Sequence, residues 1–183
     1  MDDSPTGDLR PDINAVTSLV GAITTNPWPS TDGELGNYFD LLGFIPTGQK
    51  ESTETSAITE TVLASALDPA QVHCMSFNGS LFSIGAFLYV PTPERPAQVE
   101  TGYRAIHTEL VARYGPPTEE DAPMGEDLRI NGETSSFWRI GPTMIEMYCH
   151  LRQPAGVQLG ISNFARNEAY EKQIISPAAH RRL

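Results

Sequence analysis

The feature that most constrains the fold is a tight turn, Asn78-Gly79, set between two apolar runs. Residues 72–77 precede the turn and residues 81–90 follow it. Asn and Gly both tolerate the positive φ angles of a two-residue hairpin loop, so the pattern predicts two adjacent antiparallel strands. The second run is apolar at positions facing both sides of a sheet, which indicates a central strand covered by helices on one side. We therefore expect a sheet assembled from hairpins.

A second hairpin is predicted in the C-terminal half of the chain. Residues 137–140 and 143–152 flank the turn residues Gly141-Pro142. In the longer run the side chains of Ile145, Met147, Cys149 and Leu151 alternate with those of Glu146, Tyr148, His150 and Arg152. This period of two predicts one buried and one solvated face. Residues 157–161 predict a further strand, and the Thr-rich segment 58–67 is an ambiguous earlier one.

Two helices are predicted in the N-terminal third. Residues 11–25 carry apolar side chains at steps of three and four, the spacing of one helix face. The second helix begins at Thr31, and Glu34 follows at the spacing of a capping box, in which each side chain satisfies the other residue's backbone donor. Gly43 is a natural C-terminal stop for this helix.

Two more helices complete the order of elements. Residues 96–114 predict a long central helix that ends before Gly115-Pro116-Pro117, and residues 166–173 predict a short C-terminal one. The order is helix, helix, about three strands, helix, about three strands, helix. Strands joined by short turns, without alternating helical crossovers, predict an α+β fold with an antiparallel sheet of about five to six strands in two meanders.

The length of the chain, 183 residues, suits a single domain. Residues 9–175 are expected to fold, and residues 1–8 and 177–183 are expected to be mobile because they lack apolar periodicity. No run approaches the roughly 18 apolar residues of a membrane helix. The acidic first residues also lack the pattern of a secretory signal, so we expect a cytoplasmic protein.

Charge narrows the classes of partner. The chain has 23 acidic and 12 basic residues, a net charge of −11. Such a surface repels phosphate backbones and anionic lipid, which disfavours a role on nucleic acid or on a membrane.

The sequence has no pattern typical of an active site or a metal centre. Its glycine pairs lack P-loop and dinucleotide spacing, and no Gly-x-Ser-x-Gly elbow is present. His73-Cys74 and Cys149-His150 are neighbours on strands, where adjacent side chains point to opposite faces and cannot hold one ion without distortion. A cluster across two close strands stays an alternative, and His107 is expected near solvent. We expect buried free thiols, no cofactor, no metal, no enzymatic activity and a monomer.

Partner contacts are predicted in two places. The densest charge cluster lies in the proline-bounded loop 117–127, and its members are Glu119, Glu120, Asp121, Glu126 and Asp127. Simple solvation of a connector is the alternative there. Trp28, between two prolines at a predicted helical corner, is either a core plug or an exposed interface anchor. The core role is favoured, and Trp28 is kept as a candidate contact.

Four segments of the chain carry a family resemblance. They are Trp28-Pro29 before Thr31-Asp32-Gly33-Glu34, residues 38–44, residues 112–117 and the strands over residues 138–159. With the order of elements above, they resemble small acidic actinobacterial proteins of the polymorphic-toxin immunity class, which includes an immunity factor for a tuberculosis toxin that hydrolyses NAD. The resemblance implies a non-enzymatic inhibitor that occupies the active-site cleft of a cognate secreted toxin.

Two other function classes stay open. An acidic secretion chaperone for an exported effector would share the α+β build, but it would dimerise and hold an unfolded segment. A small-ligand-binding domain or enzyme would need a pocket with converging polar groups, which spacing along a sequence does not show.

Overall fold

The computed structural model of the protein describes residues 9–52, 58–90, 98–121, 132–152 and 155–179. Within these ranges lie four helices and eight strands. The helices are α1 (Ile13–Thr25), α2 (Asp32–Leu42), α3 (Gln98–Tyr114) and α4 (Phe164–Ala179). The strands are β1 (Ile45–Ser52), β2 (Ile58–Ala64), β3 (Val72–Phe77), β4 (Ser80–Leu88), β5 (Glu119–Asp121), β6 (Glu133–Ile140), β7 (Thr143–His150) and β8 (Gly156–Asn163). The predicted α+β class is confirmed.

All eight strands join one antiparallel sheet in the order β1-β2-β3-β4-β8-β7-β6-β5. Strands β1 to β4 form one meander and β5 to β8 form the second. The two meanders meet where β4 pairs with β8, and Gly85 lies opposite Gly160 at this junction. The prediction of two meanders is confirmed, but the predicted five to six strands are fewer than the eight that the described residues form.

The strands missing from the prediction lie at the two edges of the sheet. β1 contains Pro46, and its register with β2 shifts between Pro46 and Lys50. β5 pairs with residues 135–137 of β6, so the prediction that residues 119–121 belong to a loop is wrong, although all three residues are exposed. An edge strand needs a partner on one side only, and it therefore tolerates proline and runs of charge that conceal a strand in the sequence.

The hairpin predicted at Asn78-Gly79 is confirmed. Phe77 pairs with Ser80, and the two turn residues adopt φ angles of 50° and 76°. Strand β4 ends at Leu88, earlier than predicted, because Tyr89 has a φ of 50° that does not continue a strand.

Residues next to the helices determine where α1 and α2 begin and end. The Asp12 side chain accepts a hydrogen bond from the Asn14 N–H at 3.3 Å and caps α1. At α2 the predicted capping box is wrong, because Thr31 makes no side-chain cap while Glu34 accepts from the Ser30 N–H at 2.6 Å. The predicted stop at Gly43 is confirmed by its left-handed φ of 68°.

Helix α4 is longer than the predicted short helix over residues 166–173. Asn163 accepts the Arg166 N–H through its side-chain oxygen at 3.2 Å, so the helix begins at Phe164. Its last described residue is Ala179, inside the segment that is predicted to be mobile. Helix α3 ends at Tyr114, and the stop predicted at Gly115 is confirmed by a φ of 82°.

The main core lies between the sheet and helices α1 and α3. The largest fully buried side chains there include Ile23, Leu63, Ile84, Leu88, Tyr103, Ile106, Leu110 and Trp138. Alternation along β7 is confirmed, since Ile145, Met147 and Cys149 are completely buried on this helical face.

Helix α4 packs on the opposite face of the sheet. Tyr170 stacks on Phe82 with ring centroids 4.7 Å apart and meets Phe77 edge-on at 5.6 Å. Ile58 and Met75 complete this second apolar cluster. Because Phe77 and Phe82 lie close to the Asn78-Gly79 turn, α4 covers the hairpin end of the first meander.

Candidate functional site

Side chains of the second meander form a charged and aromatic surface on the sheet face opposite α3. The register places Glu119, Phe137 and Glu146 in one row across β5, β6 and β7. Directly opposite residues of an antiparallel pair share a face, and the next rows on it contain Asp121 with Tyr148 and Glu133 with His150. We call Glu119, Asp121, Glu133, Phe137, Glu146, Tyr148 and His150 the acidic-aromatic face.

The rings on this face hold one another in place. Phe137 meets Tyr148 edge-to-face, with centroids 5.5 Å apart and ring planes at 88°. Tyr148 in turn stacks on His150 at 6.5 Å and 7°. All three side chains are half-buried, so each presents part of its ring to solvent. Edge-to-face and offset pairs are favourable arrangements. The result is a preformed aromatic ridge.

Carboxylates surround the ridge. Glu119 and Asp121 are exposed, and the Glu133 side chain is 74% exposed with its Oε2 3.9 Å from Nδ1 of His150. Burial raises the pKa of Tyr148, and the negative charges of Glu146 and Asp121 raise it further. The ridge therefore lies in a negative potential that its own neighbours create.

Glu146 is the half-buried member of the acidic-aromatic face. Its carboxylate leans over Gly160, where an added Cβ would lie 3.5 Å from the Glu146 Oε2. Burial raises the pKa of this carboxyl, and the charge of Glu171 on α4 raises it further. A cation beside Glu146 would lower the pKa of this carboxyl and so oppose both effects.

Glu120 points to the other side of the sheet and anchors β5 to the core. Its Oε1 lies 3.3 Å from Nε2 of His107, an ion-pair distance, although that nitrogen makes no hydrogen bond of good geometry. Ser136 donates to the same carboxylate oxygen at 3.4 Å and shares a 2.9 Å hydrogen bond with the Tyr103 hydroxyl. Glu120 thus binds toward α3, whereas Asp121 on the opposite face accepts a hydrogen bond from Ser135 Oγ at 3.4 Å.

The expectation that His107 lies near solvent is wrong. Its side chain is 12% exposed and packs edge-on against Trp138 at 5.4 Å. Burial lowers the pKa of His107, and the Glu120 carboxylate opposes this effect. The side chains that cover His107 come from Trp138 of β6 and from Glu120 of β5, a strand that is not predicted from the sequence.

Trp28 lies in the core, as favoured from the sequence. It is 7% exposed, and its Nε1 donates to Thr143 Oγ1 at 2.9 Å. Arg166 of α4 fixes the adjoining turn by donating to the carbonyls of Pro29 and Leu81 and to Ser30 Oγ. The role of Trp28 as a partner contact stays a prediction, and Glu126 and Asp127 lie outside the described residues.

The cysteines and histidines stay apart. Cys74 and Cys149 are free and buried, as predicted, and they lie on β3 and β7 with two strands between them. Burial raises the pKa of Cys149 to about 12 and raises that of Cys74 further still. His73 pairs with Glu60, with Nδ1 2.9 Å from Oε1. No group of three metal-ligating side chains occurs within the described ranges.

The predicted site lacks five residues of the acidic-aromatic face, namely Glu133, Phe137, Glu146, Tyr148 and His150. Alternation along β7 does identify Glu146, Tyr148 and His150 as solvent-facing, so the signal for three of the seven residues is present in the sequence. The hairpin of β6 and β7 is predicted, but its first strand is predicted only from residue 137 and leaves out Glu133. No local pattern encodes the pairing of β5 with β6.

No family model, curated protein or solved structure matches this chain. Among the helices described above, none combines the length and apolarity needed to cross a membrane.

Proposed function

We propose that the protein is an immunity protein, which binds a cognate bacterial toxin and blocks its active-site cleft with the acidic-aromatic face. One observation carries the proposal: exposed Glu119, Asp121 and Glu133 surround a preformed ridge of half-buried rings. This combination of a rigid aromatic centre and a charged rim is typical of protein interfaces.

Electrostatics suggest the kind of cleft. A toxin that degrades NAD or another nucleotide must attract a phosphate-bearing substrate, and its active site is therefore cationic. An inhibitor with a net charge of −11 competes with the substrate and is steered toward the cleft during diffusion. The aromatic ridge would then supply the apolar contact that slows dissociation.

Inhibition by occupancy requires no chemistry from the inhibitor. The thiols of Cys74 and Cys149 are buried and held protonated, and the protonated form is a poor nucleophile. Ser136 is fully buried and hydrogen-bonded to Tyr103. The protein acts in this proposal as a monomer in the cytoplasm, without cofactor or metal.

Growth rescue tests the proposal. The chain is co-expressed in a bacterial host with the toxin catalytic domain encoded beside its gene, and the wild type should restore growth. The face variant, Glu119→Gln with Asp121→Asn and Glu133→Gln, should protect poorly. The control variant, Asp40→Asn with Glu109→Gln and Glu168→Gln, makes the same change in charge at positions outside the face and should protect fully.

Two outcomes contradict the proposal. If no neighbouring gene encodes a toxin that this chain neutralises, the immunity function fails. If both variants protect equally, the acidic-aromatic face is not the contact. A complex with two copies of this chain around an unfolded segment, measured as its mass by light scattering, would favour the secretion chaperone instead.

A further inference from the structure

A groove between α1 and α2 lies on elements that the acidic-aromatic face does not use. Two hollows form it, with volumes of about 450 Å³ and 240 Å³, and Leu41 of α2 lines both. The α1 wall includes Ala15, Ala22 and Asn26, and the Asn26 side-chain amide donates to the Ala22 carbonyl at 2.8 Å. These positions follow one another at steps of seven and four, so they share one face of α1.

The α2 wall of the groove also follows one helix face. Its members are Glu34, Asn37, Tyr38, Leu41 and Leu42. Two helix faces side by side form a groove of the shape that accepts a third helix. The α1 wall is about 16 Å long at a rise of about 1.5 Å per residue, which matches roughly three turns of such a helix.

Leu41 is the apolar side chain that the groove leaves uncovered. It is 56% exposed and borders both hollows. Trp28, which is held by its hydrogen bond to Thr143, lines the larger hollow with the small part of its ring that stays exposed. A helix in the groove would cover Leu41 from both sides and remove its apolar area from water.

The charge around the groove is negative. Its walls come from α1, α2, the connection between them and the connection between β2 and β3, and these elements contain no Lys, Arg or His. Five exposed acidic residues lie on these elements or directly beside them, namely Asp12, Asp32, Glu34, Asp40 and Asp68. Arg113 and Arg166 touch the same elements by donating to the carbonyls of Thr17 and Pro29. The carboxylates outnumber these two guanidinium groups, so the groove favours a cationic partner.

We propose that this groove binds a basic amphipathic helix of a partner protein. The apolar stripe of that helix packs on Leu41 and into the two hollows, and Lys or Arg side chains beside the stripe face Glu34 and the neighbouring carboxylates. A second copy of this chain suits the groove less well, because its own α1 and α2 carry the same negative charge. The groove contains no residue of the acidic-aromatic face, so this inference and the proposed function fail independently.

Fluorescence anisotropy with a labelled peptide of Leu and Lys tests the inference on the intact chain. The peptide has about 18 residues, a length at which a helix can form, and its leucines recur at steps of three and four. A control peptide has the same composition, but its leucines are spread around the helix. We expect saturable binding of the amphipathic peptide and about ten-fold weaker binding of the control peptide.

Leu41→Ala should weaken binding of the amphipathic peptide about five-fold or more, because it removes the apolar side chain that borders both hollows. Alanine is a strong helix former, so α2 should stay folded. Phe87→Ala is the matched control, since Phe87 is also 56% exposed but lies outside the groove. This control variant should bind the peptide as the wild type does.

Glu34→Gln should weaken binding of the same peptide about two- to five-fold at low salt. Glu133→Gln makes the same change in charge on the acidic-aromatic face and should leave the affinity nearly unchanged.

Three results overturn the inference. The two peptides bind equally well, Leu41→Ala binds as tightly as Phe87→Ala, or Glu133→Gln weakens binding more than Glu34→Gln, which would place the peptide on the acidic-aromatic face. A dimer that forms without peptide and is lost in Leu41→Ala, measured as mass by light scattering, would assign the groove to a second copy and overturn it as well.

Discussion

The two meanders are built alike, with four antiparallel strands each, but the faces they turn away from α3 differ. In the first meander this face carries Phe77 and Phe82, and α4 covers them with Tyr170. In the second it carries carboxylates around Phe137 and Tyr148, and those rings stay half-exposed. Rings that a helix covers stabilise the fold, because their apolar area is removed from water. A half-exposed ring among charges would lose its remaining apolar exposure only when a partner protein covers it. Under the proposed function, the first of these faces is a structural surface and the second is the binding surface.

Phe82→Ala should cause the largest loss of stability. Truncating a buried aromatic side chain costs about 3–5 kcal/mol, because the cavity that remains does not collapse fully. Phe82 is 1% exposed, whereas Phe137 is half-exposed, so Phe137→Ala should cost clearly less. Urea unfolding of both variants measures the difference. Equal losses would mean that the two faces contribute alike to the fold.

Phe137→Ala should instead have its main effect on toxin binding. Loss of an aromatic anchor typically costs about 2 kcal/mol or more of binding free energy. Phe87→Ala is a suitable control, since it removes an exposed ring that lies outside the acidic-aromatic face. Calorimetry with the toxin domain gives both affinities. An unchanged affinity for Phe137→Ala would remove the ridge from the interface.

On the helical side of the second meander, His107 should make stability depend on pH. Burial lowers its pKa, so below the unfolded value of about 6.5 the unfolded chain binds the proton more tightly than the folded protein. Stability should fall as the pH drops from 7 to 5, and His107→Gln should flatten this dependence. Melting temperatures across the range provide the measurement, with His150→Gln as the control. Parallel curves for wild type and His107→Gln would refute the assignment.

Glu146→Gln should have the smallest effect, a modest rise in stability at neutral pH. The pKa of this carboxyl is raised in the folded state, so the folded protein holds its proton more tightly and ionisation at higher pH favours unfolding. An amide cannot ionise and escapes that cost. The gain in melting temperature should vanish as the pH falls toward the unfolded pKa of about 4.3. A loss of stability at pH 7 would show that burial of the charged carboxylate is not what limits stability at this position.

The sequence predicts features whose cause is local. The Asn78-Gly79 turn, the alternation along β7 and the stop at Gly43 depend on neighbouring residues, and all three are confirmed. The core position of Trp28 is also predicted, but its hydrogen bond to Thr143 spans 115 positions and leaves no local signal.

The candidate site is predicted only in part for the same reason. Three neighbouring acidic residues suggest a loop, and only pairing with β6 divides them into outward Glu119 and Asp121 and inward Glu120. The pairing of β5 with β6 depends on which faces of the assembled sheet are buried, and this is not encoded in the neighbouring residues alone. The contact between Phe137 and Tyr148 is more local, since these rings meet across the predicted β6–β7 hairpin.

The rate of association with the toxin domain tests the central claim most directly. Stopped-flow measurements at low salt should show the face variant, with Glu119, Asp121 and Glu133 neutralised, associating about ten- to a thousand-fold more slowly than the wild type. The control variant with Asp40, Glu109 and Glu168 neutralised should lose much less, and the gap should close as salt screens the charges. Equal rates for the face variant and the wild type at low salt would contradict the claim that the acidic-aromatic face meets the toxin.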